Sequence, residues 1–549
     1  MSRLTWVSDP LVEVIYVSPF PLSPDVLQYY SKLLQIGSSA DAERYKIVHP
    51  ENHSRFPSHF SLATVLRNSP RCLKRIRNFV RGKDAYIIPG IVGPDDVKVC
   101  LALNLPMLAP DPMVAAVYDS KSGSKRIFAA AEVNTPPSAF DLYDLGEVVA
   151  SLAALVFHHL DTDRWLIKID DEFAGRGHAV FDANAITSRA AMLKERDKDL
   201  QLWLDPARQE VCIQRLIGEI GRVLPASLRV ARPDLFPQFE SFLETMSRVG
   251  CVIEAMPDSI RGFPSACVLV EPNGKVSLHS THDQMWTPDF AYVGSISPQS
   301  SAHYEALKAA AAAVGKSYWE KKMFGFFSLD FISLTDSEGL PRLWAIDLNV
   351  GLSDAASSFE LFNFISGGEL DVRDGHYYVG GDDDEDTSTI ATSATPAPSE
   401  GQTVWAMPPE DRNVAQRRFF VTADFLFHPN LASVQYSVFF NLCRLKGVHF
   451  DLQDRVGTAF VLVDSFASGV LGLLAVGRSE LPALRFLADA LDFIQLQLGV
   501  ARGQGPKYLP QGAFLGAVTE VKAQIDRRSK DKEGKSKRGS GKQGSMVAF

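Results

Sequence analysis

The sequence predicts a mixed architecture: α/β at its start, α+β through its middle, and a smaller α/β unit to close. Over the first hundred or so residues, β-branched runs alternate with helical apolar spacing, which implies a parallel sheet covered by helices. From Trp165 onward the strands come in pairs joined by glycine-rich or turn-rich loops, the pattern of antiparallel hairpins. After a polar break at residue 380, helix and strand signals resume. A chain of 549 residues has room for roughly three or four domains.

In chain order, VEVIYVS (12–18) is a β-branched run, and LSPDVLQYYSKLLQIG (22–37) is a helix ending on Gly37. KDAYIIPGI (83–91) reads as the next strand and PDDVKVCLALNLP (94–106) as the next helix, completing a unit over 1–114. A second unit, 115–250, opens with DSKSGSKRIFAAAEV (119–133), a loop entering a helix. It continues through a Pro136–Pro137 turn, the helix LGEVVASLAALVFHHL (145–160), the hairpin WLIKIDDEFAGRGHAVFD (165–182) and a helical stretch over 190–250. A third unit, 251–379, holds the short buried strand CVIEAMP (251–257) and the hairpin SACVLVEPNGKVSLHSTHDQMW (265–286). The alanine-rich helix HYEALKAAAAAVGKSYWEKK (303–322) and the strand pair FGFFSLDFISLTDSEGLPRLWAIDLNV (324–350) follow.

Residues 380–402 read as a disordered linker, because acids, Ser, Thr and Pro leave nothing there to bury. The unit over 403–505 has a helix (SVFFNLCRLKG), three strands (VHFDLQ, TAFVLVD, VLGLLAVG) and a last helix (LPALRFLADALDFIQLQL). Residues 520–549 read as a basic disordered tail, with nine Lys/Arg against three acids between Lys522 and Lys542.

Composition narrows the function classes. A net charge of -9 argues against a nucleic-acid-binding body. Six cysteines without a CxxC or a close pair read as the reduced thiols of a cytosolic protein. MSRLTWVSDP lacks the apolar core of a signal peptide, and the longest apolar run (459–477) is broken by Asp464, so neither secretion nor a membrane span is expected.

Residues able to do chemistry fall in two places. In the first, Lys168 stands in an apolar strand ahead of Gly175 and Gly177. A dinucleotide fingerprint is rejected, because position 180 is Val and the run after the glycines is strand-like, where a helix N-terminus would have to receive the pyrophosphate. A glycine-tipped hairpin can still fold over phosphates, since its N–H groups approach oxygen atoms with no Cβ in the way. Alternation puts Trp165, Ile167 and Ile169 on one face and Leu166, Lys168 and Asp170 on the other. The plainer account is a half-exposed lysine paired with Asp170. In the second place, Asp330 lies within an apolar strand, and Asp347 and Asn349 share a face of the next. Two carboxylates and an amide oxygen suit Mg²⁺ on phosphates. Acids at sheet ends, satisfied by backbone or an arginine, are the plainer account there.

Lysine strand, glycine hairpin, short buried strand, then Asp and Asp-x-Asn on paired strands is the order of parts in the ATP-grasp fold. VIYVSPFPLSPDVLQYYSKLL, LALNLPMLAPDP, DSKSGSKRIFAAAEV, WLIKIDDEFAGRGHA, STHDQ and AIDLNVGLSD resemble segments of the pheganomycin-type peptide ligases and their pre-ATP-grasp domain. IDLNVGLSDAASSFELFNFISGG and YSVFFNLCRLKGVHFDLQDRVGTAF resemble more closely the C-terminal region of the IQ-motif-containing protein H family. The resemblance runs from about Val12 to Leu498. It implies a Rossmann-like pre-ATP-grasp domain, a two-lobed ATP-grasp core and a small C-terminal α/β domain. It also implies ATP and Mg²⁺ as ligands. Lys121 and Lys168 would contact phosphates or the adenine edge, and Gly175 and Gly177 would form a lid. Glu254 with the backbone of Ala255 and Met256 would line the adenine hinge. Asp330, Asp347 and Asn349 would hold the metal.

The chain departs from the ligase pattern. Gly351 and Leu352 stand where an arginine and a lysine follow the metal-binding Asn, Phe326 stands where an arginine precedes the metal Asp, and Asp347 replaces a Glu. Losing cations near a transferred phosphoryl group lowers transition-state stabilisation more than ground-state binding. The expectation is therefore an ATP-binding protein with weak or lost ligase chemistry, a scaffold or sensor of motile cilia or flagella with axonemal partners. The alternatives are an active ATP-dependent carboxylate–amine ligase and a structural axonemal subunit with an empty cleft. The family is named for a calmodulin-binding motif. IQRLIGEIGR (213–222) begins like one, but Gly218 and Glu219 replace its basic residue and Gly, so it reads as an ordinary helix and calmodulin is not an expected partner. The basic tail offers a contact for an acidic surface.

Overall fold

The computed structural model describes residues 2–34, 44–57, 59–380, 416–462, 469–499 and 513–540. At its start, strands Val14–Val17 and Tyr45–Val48 pair in parallel, with Val14 opposite Tyr45. Helices Leu62–Arg67, Pro70–Val80 and Pro94–Leu103 close a small core around Val48, Leu66, Leu73, Ile76 and Val99. The strand expected over 83–91 is not formed. Ile87 makes a single parallel bridge to Met107, because Pro89 has no N–H to extend a ladder.

The next unit is a five-stranded sheet in the order Ser138–Leu142, Cys251–Met256, Arg164–Ile169, His178–Asp182, Arg229–Val230. Helices Leu145–His158 and Pro206–Ser227 share a core with one face of it, where Trp165, Ile167 and Ile169 are 0%, 1% and 0% exposed. Burying each such side chain contributes about 1.5–3 kcal/mol, so this face is committed to packing and the opposite face is left for polar groups. The segment 213–222 lies inside helix Pro206–Ser227, with Leu216 and Ile220 buried.

A larger sheet follows, in the order Pro341–Val350, Gly325–Thr335, Pro264–Val270, Val276–Trp286, Tyr292–Ser297, Phe419–Phe427, Val470–Gly477, Val456–Val461, Phe450–Asp451. The strands expected to form a separate unit over 403–505 continue this sheet, because Ile296 pairs with Val421 and Ser297 with Phe420. Strands Tyr292–Ser297 and Phe419–Phe427 are both outside the expected set; the first has an edge that would otherwise be open, and the second covers it.

The tail expected to be disordered from 520 is instead part of helix Ala513–Ser540. Phe514, Ala517, Val518 and Val521 are buried in the core shared with helix Glu480–Leu498. Their spacing is that of an amphipathic stripe. It begins upstream of the basic run, so counting charges from 520 conceals it. The linker expected over 380–402 lies, from 381, outside the described residues, as do residues 541–549. Among the described residues no helix is long and apolar enough to cross a membrane.

Candidate functional site

Two lysines come from helix Lys121–Ala130. The Ser120 hydroxyl caps this helix by accepting from the Gly123 amide at 3.0 Å. Lys121 and Lys125, four residues apart, therefore share a face. Strand Arg164–Ile169 supplies a third lysine. Its alternation sends the apolar residues into the helical core and turns Lys168 the other way, where it is 3% exposed.

Glu254, on the adjacent strand Cys251–Met256, meets two of these cations. Its Oε2 lies 2.6 Å from Lys168 Nζ, and its Oε1 touches Lys125 Nζ. Asp170 is not the partner of Lys168, because it accepts from the amide and the hydroxyl of Ser122, each at 3.0 Å. Two ammonium groups thus share one carboxylate. Burial disfavours both charges. At Lys125 burial wins and the pKa falls, whereas at Lys168 the charges of Glu254 and Asp347 outweigh it and the pKa rises. Burial would raise the Glu254 carboxyl, but the two lysines hold it below the ordinary value. Lys125 Nζ and Glu254 Oε1 meet as ions without a well-aligned hydrogen bond. A buried ammonium with spare donors fits an incoming anion.

The facing wall is acidic. Asp330 and Asp347 lie directly opposite each other on strands Gly325–Thr335 and Pro341–Val350. Gln284 Nε2 donates to Asp330 Oδ1 at 2.8 Å, and Asn349 Nδ2 donates to Oδ2 at 3.1 Å. Burial, and then the charge of Asp347, push the Asp330 carboxyl up to about 6. Asp119, just ahead of the lysine helix, accepts from the Val350 amide at 2.7 Å, and burial pushes it up to about 6 as well. Two partly exposed carboxylates facing one another fit a divalent cation. Among the described residues, no group of three or more His, Cys, Asp or Glu is set to hold a metal ion. The donor set here is two carboxylates and an amide, which leaves coordination positions for phosphate oxygens and water.

The two walls meet. Lys168 Nζ donates to the Ile346 carbonyl oxygen at 3.3 Å, Lys121 Nζ lies 3.7 Å from Asp347 Oδ2, and the Leu348 amide donates to Ser124 Oγ at 3.1 Å. The structure therefore brings together Lys121, Lys168, Glu254, Asp330, Asp347 and Asn349.

Gly175 and Gly177 lie in the turn after Lys168, Gly175 against Phe290 in a turn of the large sheet and Gly177 against Ile169 and Glu172 of its own hairpin. Gly175 has φ +77°, and a Cβ there would overlap the Phe290 carbonyl oxygen. The hinge expectation needs correction for two groups. The Glu254 carboxylate is taken by lysines, and the Ala255 amide donates to the Pro137 carbonyl at 2.9 Å, because this strand is paired on both edges. Met256 is the last residue of that strand.

Sequence reasoning missed Lys125, Ser122, Ser124, Asp119 and Gln284. The i,i+4 spacing from Lys121 was an available signal for Lys125. For Gln284 the available signal was its place in STHDQ, one of the resembling segments, although only the sheet order sets it beside Asp330. A cavity of about 960 Å³ opens beyond Gln284, lined by residues that include Arg261, Trp286, Glu480 and Arg528. On the other side, Phe326, Gly351 and Leu352 line a small apolar space with Ile88, Pro89 and Val92. Trp6 stacks on Phe326 with ring centroids 6.2 Å apart.

Residues 112–373 match the family described as IQCH-like, ATP-grasp. Over 522 residues the chain is 34% identical to the IQ motif-containing protein H of Danio rerio, which covers 92% of this chain and 46% of that protein. The chain thus spans about half the length of this curated relative. Similar solved structures include the biotin carboxylase domain of Hydrogenobacter thermophilus 2-oxoglutarate carboxylase with MgADP, ADP and bicarbonate, at TM-score 0.44 and 12% identity, covering 89% of this chain and 86% of that one. Another is N5-carboxyaminoimidazole synthase from Aspergillus clavatus with ADP and 5-aminoimidazole ribonucleotide, at TM-score 0.43 and 10% identity, covering 88% and 98%.

Proposed function

The chain belongs to the IQ motif-containing protein H family, and from that premise we propose that it binds Mg-ATP between two lobes and acts as a nucleotide-dependent scaffold or sensor. The lobes in this reading are not divided at 250/251 as the sequence suggested: one is the five-stranded sheet, which includes Cys251–Met256, and the other is the large sheet from Pro264 onward, with a pre-ATP-grasp unit over 1–114 ahead of them. The observation that supports the reading is the convergence of Lys121, Lys125 and Lys168 with Asp330 and Asp347 where the two sheets meet. The lysines would hold phosphate oxygens. Asp330, Asp347 and Asn349 would orient the metal, and the Gly175–Gly177 turn would cover the phosphates. Bound Mg-ATP would supply a transferable phosphoryl group. Lys121 and Lys168 are 8% and 3% exposed, so entry of a nucleotide requires the walls to part and the Lys168–Ile346 bond to break.

Weak or lost ligase chemistry is part of the proposal. Its support is the apolar surface of Phe326, Gly351 and Leu352, where the resembling ligases carry cations. The intact lysine and Asp/Asn sets favour a second reading, an active ATP-dependent carboxylate–amine ligase. Placement in motile cilia or flagella, among axonemal proteins, rests on the family resemblance alone.

Isothermal titration with Mg-ATP is the test. The proposal expects saturable heat that falls at least tenfold in affinity in Lys168→Ala. No heat, or a variant indistinguishable from the parent, removes the nucleotide from the reading and leaves a structural subunit. ADP formation that depends on added peptides or amino acids, and that Asp347→Ala abolishes, establishes the ligase instead.

A further inference from the structure

The net charge of -9 hides a strongly cationic face on the first unit. No Asp or Glu occurs between Glu51 and Asp84, and that span carries eight Lys/Arg. Helix Pro70–Val80 concentrates them. Cys72, Leu73 and Ile76 point inward at 3%, 8% and 5% exposure, while Arg71, Lys74, Arg75, Arg77 and Asn78 are exposed, as is Arg81 at the helix end. Arg77 donates to the neutral Ala102 carbonyl at 2.7 Å. Arg71, Lys74, Arg75 and Arg81 make no ion pair among the described residues. Glu51 accepts from the Arg71 and Cys72 amides at 2.7 and 3.0 Å and offsets part of the charge at Arg71, while Lys74, Arg75 and Arg81 are left without a carboxylate partner among the described residues.

An aromatic group follows Asn52, the residue that ties the preceding segment to the start of this helix. Asn52 ties its segment down by donating to the Asn68 carbonyl at 2.6 Å, and Phe56, His59 and Phe60 follow. Phe60 is 41% exposed, with the Phe56 and His59 rings 5.7 and 4.9 Å from its own.

We propose that this face binds a single nucleic acid strand, its phosphates on Arg71, Lys74, Arg75 and Arg81 and a base stacked at Phe60. From Arg71 to Arg81 the helix axis advances about 15 Å, the axial length of roughly four nucleotides at the rise of a stacked strand. Arginine forks suit phosphate, and exposed rings beside a cationic track are the parts of a stacking platform. An anionic membrane fits less well, because the apolar stripe of the helix is spent on the domain core and cannot insert. An acidic protein surface fits less well too, because between Glu51 and Asp84 Phe60 is the one large apolar side chain exposed among the described residues, a single ring and not the clustered anchor of a buried hot spot.

The test uses the full chain and a fluorescein-labelled uridine RNA of about 20 nucleotides, with anisotropy read from about 50 to 200 mM salt. Replacing Arg71, Lys74, Arg75 and Arg81 together with Gln should weaken binding more than tenfold. It should also lower the slope of log K against log salt by about 3, at roughly 0.7 per phosphate contact. Phe60→Ala should weaken binding about fivefold or more and leave the slope alone. All five positions are exposed, so the parent melting temperature should be kept. If the fourfold variant melts early, Arg75→Gln and Arg81→Gln made singly each carry the slope measurement. Absence of RNA binding at the lowest salt overturns the proposal, as does binding that all these substitutions leave unchanged. Tighter binding to phosphatidylserine vesicles or to polyglutamate than to the RNA assigns the face to a membrane or an acidic protein and equally overturns it.

Discussion

Lys168 and Glu254 stand on adjacent antiparallel strands with Nζ and Oε2 2.6 Å apart, both 3% exposed, and Lys125 draws on the same carboxylate. One anion between two cations leaves this wall positive. That excess sets what the cleft can hold and how it responds to substitution.

Glu254→Gln leaves two buried ammonium groups without their counter-ion. Removing one partner of a buried ion pair costs about 3–5 kcal/mol, so the urea midpoint should fall accordingly. Adding Lys125→Met should recover part of the loss. A single variant as stable as the parent would show that the pairing contributes nothing.

Lys125→Ala tests the cation that sequence reasoning overlooked. It relieves the crowding at Glu254, so the fold should lose little stability, while titration with Mg-ATP should show about tenfold weaker binding, or roughly 1.4 kcal/mol. Unchanged affinity confines phosphate contact to Lys121 and Lys168.

Gly175→Ala places a Cβ at φ +77° on top of the Phe290 carbonyl oxygen. The turn must move away from the other sheet, at a cost above about 1 kcal/mol. Limited proteolysis should then cut within 171–177 faster than in the parent. An equal cutting rate means that the turn does not depend on this contact.

Asp424 supplies a pH test remote from the lysine cleft. Burial, and then the charge of Asp354, push its carboxyl up to about 7, and Tyr292 and Thr422 hydroxyls donate to it at 3.2 and 3.0 Å. A carboxyl whose pKa is raised by folding contributes fully below its unfolded value near 4, and that contribution is lost as pH rises through about 7. Asp424→Asn should therefore gain on the parent by about 2–4 kcal/mol between pH 5 and pH 8 in urea unfolding. A difference constant across that range rules out the buried charge.

Much of the wall chemistry was legible in the sequence. Period-two alternation assigned the face of Lys168 and the shared face of Asp347 and Asn349 without any knowledge of neighbours. The strand over 83–91 was misread because β-propensity at Ala85–Ile88 outweighed the two residues that stop the ladder, Pro89 and Gly90. The final helix was not expected because its apolar stripe, Phe514 to Val521, lies largely ahead of the basic run over which the charges were counted.

What the sequence determined by itself is the direction of each side chain, since that follows from local φ/ψ periodicity and from caps such as Ser120 on Gly123. What only the tertiary structure decided is who meets whom. Lys168 faces Glu254 and not Asp170, Gln284 reaches Asp330, and strand Phe419–Phe427 extends the large sheet. Those partners depend on strand order and on which edges are already paired. Both are outcomes of packing the whole chain, and no short window of residues encodes them.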